Sequence, residues 1–543
     1  GKDMKFTAKV TVKNDGAFAG KDVVEIYEQA PYTSGGIEKA ARRLVGFAKT
    51  SLLAPGESET VEVKFDIYDI ASYDYADANG DDKIGYIVED GDYVFTASKD
   101  SHNAVASETI SFAGDVILDK SQYTGVDVTN RFVDSPDPAA IYNFASISPT
   151  MTIMSRKDMI GTFPKAPTTD DYASSTAKYT EADEAEDPTH VAGTYKQADM
   201  TKTNPILDGK ADNLKITKEE VVAKYNFGYR FGTNDDSHEI WANSDVVIPS
   251  TWTQESDANA VVAIRLADMM GIDPEGEKTI TNDANNTDAN KIYKANEALN
   301  GLTEAKAWEK FMNQLTYAEM EQLTTTGFFK TAPVARIGKE EAVDCDGPCT
   351  IGNQTKAGYQ SARGSSGTRY WISAQNQAMT YNVELAYRIG LLIGEEGLWN
   401  GYNGWYAPSM NTHRSPFSGR NFEYYSQDGV QGGLIVAAVL AGSNQGGVYP
   451  YIKHFALNDQ ETNRGGVSTW ADEQTIRENY LKVFEYAVVA GGSTGIMTGF
   501  NRIGAVNNTE HYPLITQILR GEWGFDGHIV TDYQVGSVGD KNN

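Results

Sequence analysis

The chain has 543 residues, more than one ordinary domain holds, so two or three units are expected. Hydrophobic residues make up 40% of it, enough for real cores, while a net charge of −28 repels phosphate backbones and anionic membranes and argues against a nucleic-acid partner. Its two cysteines, Cys345 and Cys349, form neither a disulfide framework nor a zinc pattern, and seven scattered histidines without an HxH or HExxH pair argue against a metal centre.

Residues 1–125 read as β structure. Phe6, Ala8, Val10 and Val12 alternate with polar residues, as do Val61, Val63 and Phe65, and then Tyr93 and Phe95. Gly, Asn, Asp and Pro separate these runs, which predicts an antiparallel sandwich. DANGDDKIG (77–85) has the look of a calcium loop, but Asp82 stands where such a loop needs Gly and Val88 where it needs an acid. A tight turn between strands is the better reading. Residues 126–300 change character. Their polar stretches, 163–216 and 281–291, predict a linker that wraps other domains, with some helix near Val261–Met270.

From residue 301 to 543 helices alternate with short apolar strands. A helix is predicted over Ala305–Leu323. Leu385, Ile389, Leu392 and Ile393 share one helical face. Further helices are predicted near Gly432–Leu440, with Gly442 as a stop, from Ile476 to Gly491, and from Pro513 to Gly521. Between them lie EEAVDCD, WYAPSM, YIKHFA, GIMTGF and HIVTDY. This alternation predicts a parallel sheet, doubly wound or a (β/α)₈ barrel.

Each of these strands begins apolar and ends polar. Asp346, Asn411, the Lys453–His454 pair, Asn501 and Asp532 sit at or just beyond strand ends, and Arg420 lies in the loop after Asn411. In a (β/α)₈ barrel the C-terminal strand ends open on one face, so residues far apart in sequence converge there. Taken singly, each has a plainer reading. An Asp after a strand often caps a helix. Arg420 could pair with Glu423 on the surface, and Lys453 with His454 could be a solvated loop pair.

The segments NTHRSPFSGRNFEYYSQDG (411–429), KHFALNDQETNR (453–464), MTGFNRIGAVNN (497–508) and LRGEWGFDGHIVTDY (519–533) resemble glycoside hydrolase family 3, of the β-glucosidase and β-xylosidase type. LTYAEMEQL (315–323) is similar to the family's first barrel helix and DGP (346–348) to its sugar-binding first loop. The resemblance implies that Asp532 is the nucleophile of a retaining mechanism. It implies that Asp346, Arg420, Lys453 and His454 grip the hydroxyls of the terminal sugar. Nearby cations are expected to keep Asp532 ionised. Two positions depart from the family pattern: Tyr533 follows the nucleophile where Trp is usual, and Phe500 stands where a Tyr is frequent.

VTVKNDGAFAGKDVVEIYEQAPYT resembles the family's fibronectin type III-like domain, here placed before the barrel as in the family's permuted subset. The implied order is a β-sandwich over 1–125, a linker over 126–300 containing the connecting segment 154–168, and a catalytic TIM-like barrel over 301–543. Both ends are expected to be incomplete, and the acid/base Glu is expected on a missing α/β sandwich domain of the same polypeptide or a separate chain. The expected substrate is a β-linked oligosaccharide or glycoside bearing a terminal β-glucosyl or β-xylosyl unit. No cofactor is implied, a homo-oligomer is left open, and an extracellular or cell-surface setting is expected from the substrate. The competing class is a carbohydrate-binding or scaffold protein with a degenerate barrel.

Overall fold

The structure is a computed structural model. It describes residues 2–132, 155–158 and 262–533, apart from 275, 326–328, 352–369, 417, 462–463, 465–466 and 505. The polar stretch 163–216 of the expected linker lies outside the described residues, as does the connecting segment 154–168 apart from 155–158.

The N-terminal unit is an antiparallel sandwich. β1 (Lys5–Lys13) and β4 (Ser58–Asp66) pair along their whole length. β3 (Arg43–Lys49), β2 (Val23–Gln29), β7 (Gly91–Ser98) and β8 (Ala104–Phe112) form a second sheet in that order, and β5 (Ser72–Asp74), β6 (Gly85–Val88) and β9 (Val116–Leu118) a third. The alternation read from the sequence of β1 is what the burial follows, residue by residue. Its inward side chains join the core: Phe6 stacks on its cross-strand neighbour Phe65 at 5.3 Å and, across to the second sheet, on Phe95 at 6.3 Å between ring centroids. The 77–85 segment is a turn. Asp77 (φ 53°) and Asp82 (φ 62°) are both left-handed, and Asp77 accepts the Asp82 N–H at 3.0 Å. Asp tolerates that conformation because its short side chain bonds the local backbone.

Residues 262–300 depart from the expected linker, because they share a core with residues 301–325, the expected opening of the barrel. Ile264, Met269, Ile280, Leu299, Phe311 and Leu315 are buried together. The helix expected near residue 270 is only a 3₁₀ turn, Leu266–Met269. β10 (Thr279–Thr281) and β11 (Lys291–Tyr293) pair in parallel. The polar run between them is a chain of Asx turns, with Asp283, Asn286 and Asp288 each accepting the N–H two residues on. The single helix predicted over Ala305–Leu323 is two, α1 (Glu304–Met312) and α2 (Tyr317–Thr325). Thr316 breaks it: its hydroxyl accepts from Glu319 N–H, and Glu319 accepts from Thr316 N–H. That reciprocal cap restarts the chain.

The C-terminal unit is a β/α alternation. β12 (Lys330–Thr331) runs antiparallel to β13 (Ala342–Asp346), and β14 (Gly404–Tyr406), β15 (Tyr449–Phe455), β17 (Gly495–Thr498) and β20 (His528–Val530) follow in parallel order. The described strands make an arc of five parallel neighbours. A small sheet of β16 (Ser468–Thr469), β18 (Arg502–Ile503) and β19 (Val506–Asn507) lies beside it in sequence. After β13 come α3 (Ala374–Met379) and α4 (Val383–Trp399), and after β14 comes α5 (Gly429–Gln445). Asp428 caps α5 by accepting from Val430 and Gln431 N–H, worth about 1 kcal/mol. Gly442 is not the stop expected of it. It lies inside α5, where a Cβ would stand 2.1 Å from the carbonyl oxygen of Tyr387 in α4. Gly390 faces Val439 in the same way, and Gly394 meets Gly446, so the two helix backbones touch.

After β15 the chain runs through Glu473–Thr475 and a π-helical stretch, Ile476–Leu481, into α6 (Lys482–Val489). A second π-helical stretch, Pro513–Glu522, precedes β20. Among the described residues no helix is long and apolar enough to cross a membrane.

A buried ion cluster fastens the sandwich's C-terminal tail to these helices. Arg477 donates to Glu473 at 2.9 Å, to Glu522 at 2.7 Å and to the Thr129 carbonyl at 3.0 Å. Glu473 also accepts the N–H groups of Arg131 and Phe132, and Arg131 reaches Glu522 at 3.2 Å. Nearby, Glu478 accepts the Tyr73 N–H at 2.6 Å. Removing one member leaves buried opposite charges unpaired, which costs about 3–5 kcal/mol. Arg477→Leu is therefore expected to lower unfolding free energy by about that much in a urea titration; a change below about 1 kcal/mol would show that the cluster is not structural.

Candidate active site

The strand ends of the arc converge as the sequence pattern anticipates. Asp346 closes β13 and Lys453 comes from β15, and the Lys453 ammonium donates to Asp346 Oδ1 at 2.7 Å. The Gly347 N–H donates to the same oxygen at 2.8 Å. Gly347 turns there with φ 128°, and a Cβ would sit 2.5 Å from the Thr350 carbonyl oxygen, so only glycine fits. Burial opposes ionisation of Asp346, but Lys453, the Gly347 N–H and Arg420 outweigh it and hold its pKa below the usual value.

His454 is buried beside Lys453 and anchored through its backbone. Asn411 accepts the His454 N–H at 2.8 Å and donates to its carbonyl at 2.9 Å. Burial, with Arg420, Lys453 and Arg464 nearby, drives the imidazole pKa well below its usual value, so the ring is neutral. Its Nε2 lies 3.3 Å from Asp532 Oδ2 and 3.1 Å from the Arg420 Nη2. With a neutral ring the first contact is not an ion pair. Arg420 does pair with Glu423, but not on the surface: both side chains are largely buried, and Arg420 Nε donates to Glu423 Oε1 at 2.5 Å.

Asp532 follows β20. Its Oδ1 accepts the Tyr533 N–H at 2.7 Å, and its Oδ2 is buried with no hydrogen-bond donor among the described residues. The nearby cations expected to keep Asp532 ionised do act in that direction, but they are not the largest influence on it. Burial is the largest influence and raises the pKa, and the Tyr533 N–H, Lys453, Arg420 and Arg464 only moderate the rise. Tyr533 itself is exposed. Phe500 lies under Arg464, whose guanidinium stands 4.6 Å from the ring centroid.

The structure thus brings Asp346, Arg420, Lys453, His454 and Asp532 into one cluster, with Phe500 joined to it through Arg464. Asn411 joins this cluster as one of the strand-end residues, Glu423 joins it as the partner of Arg420 but buried, and Arg464 has a part in it that the sequence pattern does not assign. Arg464 lies in a family-like motif, but nothing in its spacing from Lys453 announces a shared charge. A cavity of about 780 Å³ lies elsewhere, between sandwich and β/α unit, lined by residues such as Glu28, Arg43, Asp472 and Glu478. The chemistry does not converge there. Cys345 and Cys349 are not joined by a disulfide.

An arrangement of this kind can hold a neutral polyhydroxylated ring between acceptors (Asp346, Asp532) and donors (Arg420, Lys453), and bring a carboxylate oxygen to one of its carbons. Comparison with known proteins points the same way. Residues 338–543 match the family described as glycosyl hydrolase family 3 N terminal domain, and residues 22–101 match the fibronectin type III-like domain. Beta-glucosidase A of Butyrivibrio fibrisolvens is 27% identical over 97% of this chain and 51% of its own length. A beta-glucosidase of Ruminococcus albus is 27% identical over 99% of this chain and 44% of its own. Thermostable beta-glucosidase B of Acetivibrio thermocellus is 34% identical over 43% of this chain and 31% of its own. The chain spans about half the length of the first two relatives. A crystal structure of a beta-glucosidase from Paenibacillus barengoltzii superposes with a TM-score of 0.60 at 23% identity, covering 98% of this chain and 46% of that one, and shares the fold.

Lys453→Met removes the cation bonded to Asp346 and leaves burial to dominate. The Asp346 pKa is expected to move from below to above about 3.9, followed by ¹³C carboxyl shifts against pH. An unmoved Asp346 would mean that Lys453 does not hold it ionised.

Proposed function

For this member of glycoside hydrolase family 3 we propose a retaining exo-β-glycosidase that releases terminal β-D-glucosyl, or β-xylosyl, units through a covalent glycosyl-aspartate. The observation that carries the reading is Asp532 Oδ2, a buried carboxylate oxygen without a donor among the described residues, in a site lined by sugar-gripping groups. Asp532 attacks the anomeric carbon as the glycosidic C–O bond breaks. The departing oxygen takes a proton from a second carboxyl, which then deprotonates the water that hydrolyses the intermediate. We assign that acid/base to a Glu on an α/β sandwich domain outside the described residues. Asp346, Arg420, Lys453 and His454 bind the ring hydroxyls, with Phe500 and Tyr533 at the edge. The relatives named as β-glucosidases support glucose over xylose. We read the five-stranded arc as part of a (β/α)₈ barrel, and we place the protein outside or on the cell, where oligosaccharides are met.

The competing reading is a carbohydrate-binding or scaffold protein with an inert barrel. The retained Asp532 carboxylate and its open oxygen disfavour it.

A 2-deoxy-2-fluoroglucosyl fluoride separates the two. Fluoride leaves without a proton, so the trap needs the nucleophile and not the acid/base. Peptide mass spectrometry is expected to find the fluoroglucosyl label on Asp532, and an unlabelled Asp532 with intact fold would overturn the assignment. Asp532→Asn is expected to reduce turnover by roughly 10⁴-fold, the scale seen when a covalent nucleophile is lost.

The pH dependence follows from the raised pKa of Asp532. The nucleophile must be ionised, so kcat/KM falls as pH drops through a value above the ordinary carboxylate range of about 3.9. Arg464→Met removes a cation that lowers this pKa, so the acid limb is expected to move to still higher pH. A shift to lower pH would mean that Arg464 does not stabilise the Asp532 carboxylate.

A further inference from the structure

The imidazole Nε2 of His454 faces two groups that ask opposite things of it. Asp532 Oδ2, at 3.3 Å, could only accept a proton from it. Arg420 Nη2, at 3.1 Å, can only donate, because a guanidinium has no lone pair to offer. A neutral ring can satisfy one of the two. Asp532 Oδ2 has no donor among the described residues, which is the outcome expected when Nε2 serves Arg420; His454 Nδ1 has no acceptor among them either, so the Arg420 contact at Nε2, and not a bond at Nδ1, is what distinguishes the two tautomers.

What holds Arg420 in that position is Glu423. Its carboxylate is 4% exposed as a residue and is fully engaged on one edge with the guanidinium, Oε1 accepting from Arg420 Nε at 2.5 Å. Its other oxygen accepts from the Ser409 hydroxyl at 2.6 Å. Ser409 lies just beyond β14 and bridges to Lys453 of β15. Glu423 thus ties the Arg420 loop to the strand ends that carry the site. Glu461 approaches Arg420 from the other side, but only at 3.8 Å and with a more exposed side chain.

We propose that Glu423 is a positioning residue: it fixes Arg420 against His454 Nε2, selects the Nδ1–H tautomer of His454, and so leaves Asp532 Oδ2 without a proton donor. The device acts on the nucleophile through two intermediaries and touches no substrate. The proposal rests on Asp532 being the nucleophile, but its test does not.

The tautomer is read directly. The chain is labelled with ¹⁵N-histidine, and long-range ¹H–¹⁵N spectra are recorded at neutral pH, with the His454 pattern assigned by its loss in His454→Gln. The wild-type chain is expected to show a protonated Nδ1 and a bare Nε2. Glu423→Ala frees the guanidinium, and Arg420→Met removes the donor; in each, the Nε2–H form is expected to become the main species. Glu423→Gln keeps an acceptor for Arg420 and is expected to restore the wild-type pattern. A wild-type ring protonated at Nε2 overturns the proposal, whatever the variants do. An unchanged tautomer in whichever of Glu423→Ala and Arg420→Met folds also overturns it. No turnover is measured, so a failure of this test is separate from a failure to label Asp532.

Discussion

The two units are held in one arrangement by Arg477. Its guanidinium is enclosed by Glu473, Glu522 and the Thr129 carbonyl, with the Tyr73 ring 4.6 Å away. Glu473 and Glu522 belong to different helical segments of the β/α unit, and Thr129 to the tail of the sandwich. A guanidinium satisfies three directions at once because its donors form a fixed planar fork. The cluster matters to the site as well. Glu473 opens the helical stretch that follows β15 and the loop carrying Arg464, so the sandwich helps fix where that loop ends.

Much of this is legible in the sequence, for specific reasons. Period-two alternation identifies β1 and β4 because each has one face in water, where the pattern is cleanest. The polar ends of β13, β15 and β20 announce convergence because parallel strands deliver their ends to one side. Other features are not legible. The Asx turns of 281–291 use the same Asn and Asp residues that mark disorder, and composition cannot tell the two apart. The break at Thr316 needs the capping exchange with Glu319 to be seen as more than one more residue in a helical run. Gly442 reads as a terminator because a glycine near a helix end usually is one; only the neighbouring helix shows that it serves contact instead.

The site adds an electrostatic lesson. Arg420 and Glu423 stand three apart, a spacing that suits an exposed helical pair, and the same spacing in a buried loop makes something far stronger. Likewise, counting cations near Asp532 suggests that its carboxylate stays easily ionised. The count omits the cost of taking that carboxylate out of water, which outweighs the cations around it. In a chain of net charge −28, the cations Lys453, Arg420 and Arg464 of this cluster are matched against Asp346, Asp532 and Glu423, so the site is far nearer to balance than the chain as a whole. That balance suits a site that must hold two carboxylates close to a neutral ligand.

The glycines between α4 and α5 bear on how this cluster keeps its dimensions. Where side chains separate two helices, rotamer changes absorb small displacements. Between α4 and α5, carbonyl oxygens and Cα atoms meet across Gly390, Gly394, Gly442 and Gly446, and nothing compressible lies between them. The pair acts as a single beam. A push on either helix moves both, and α5 passes it to β15, the strand that carries Lys453 and His454 and packs against it.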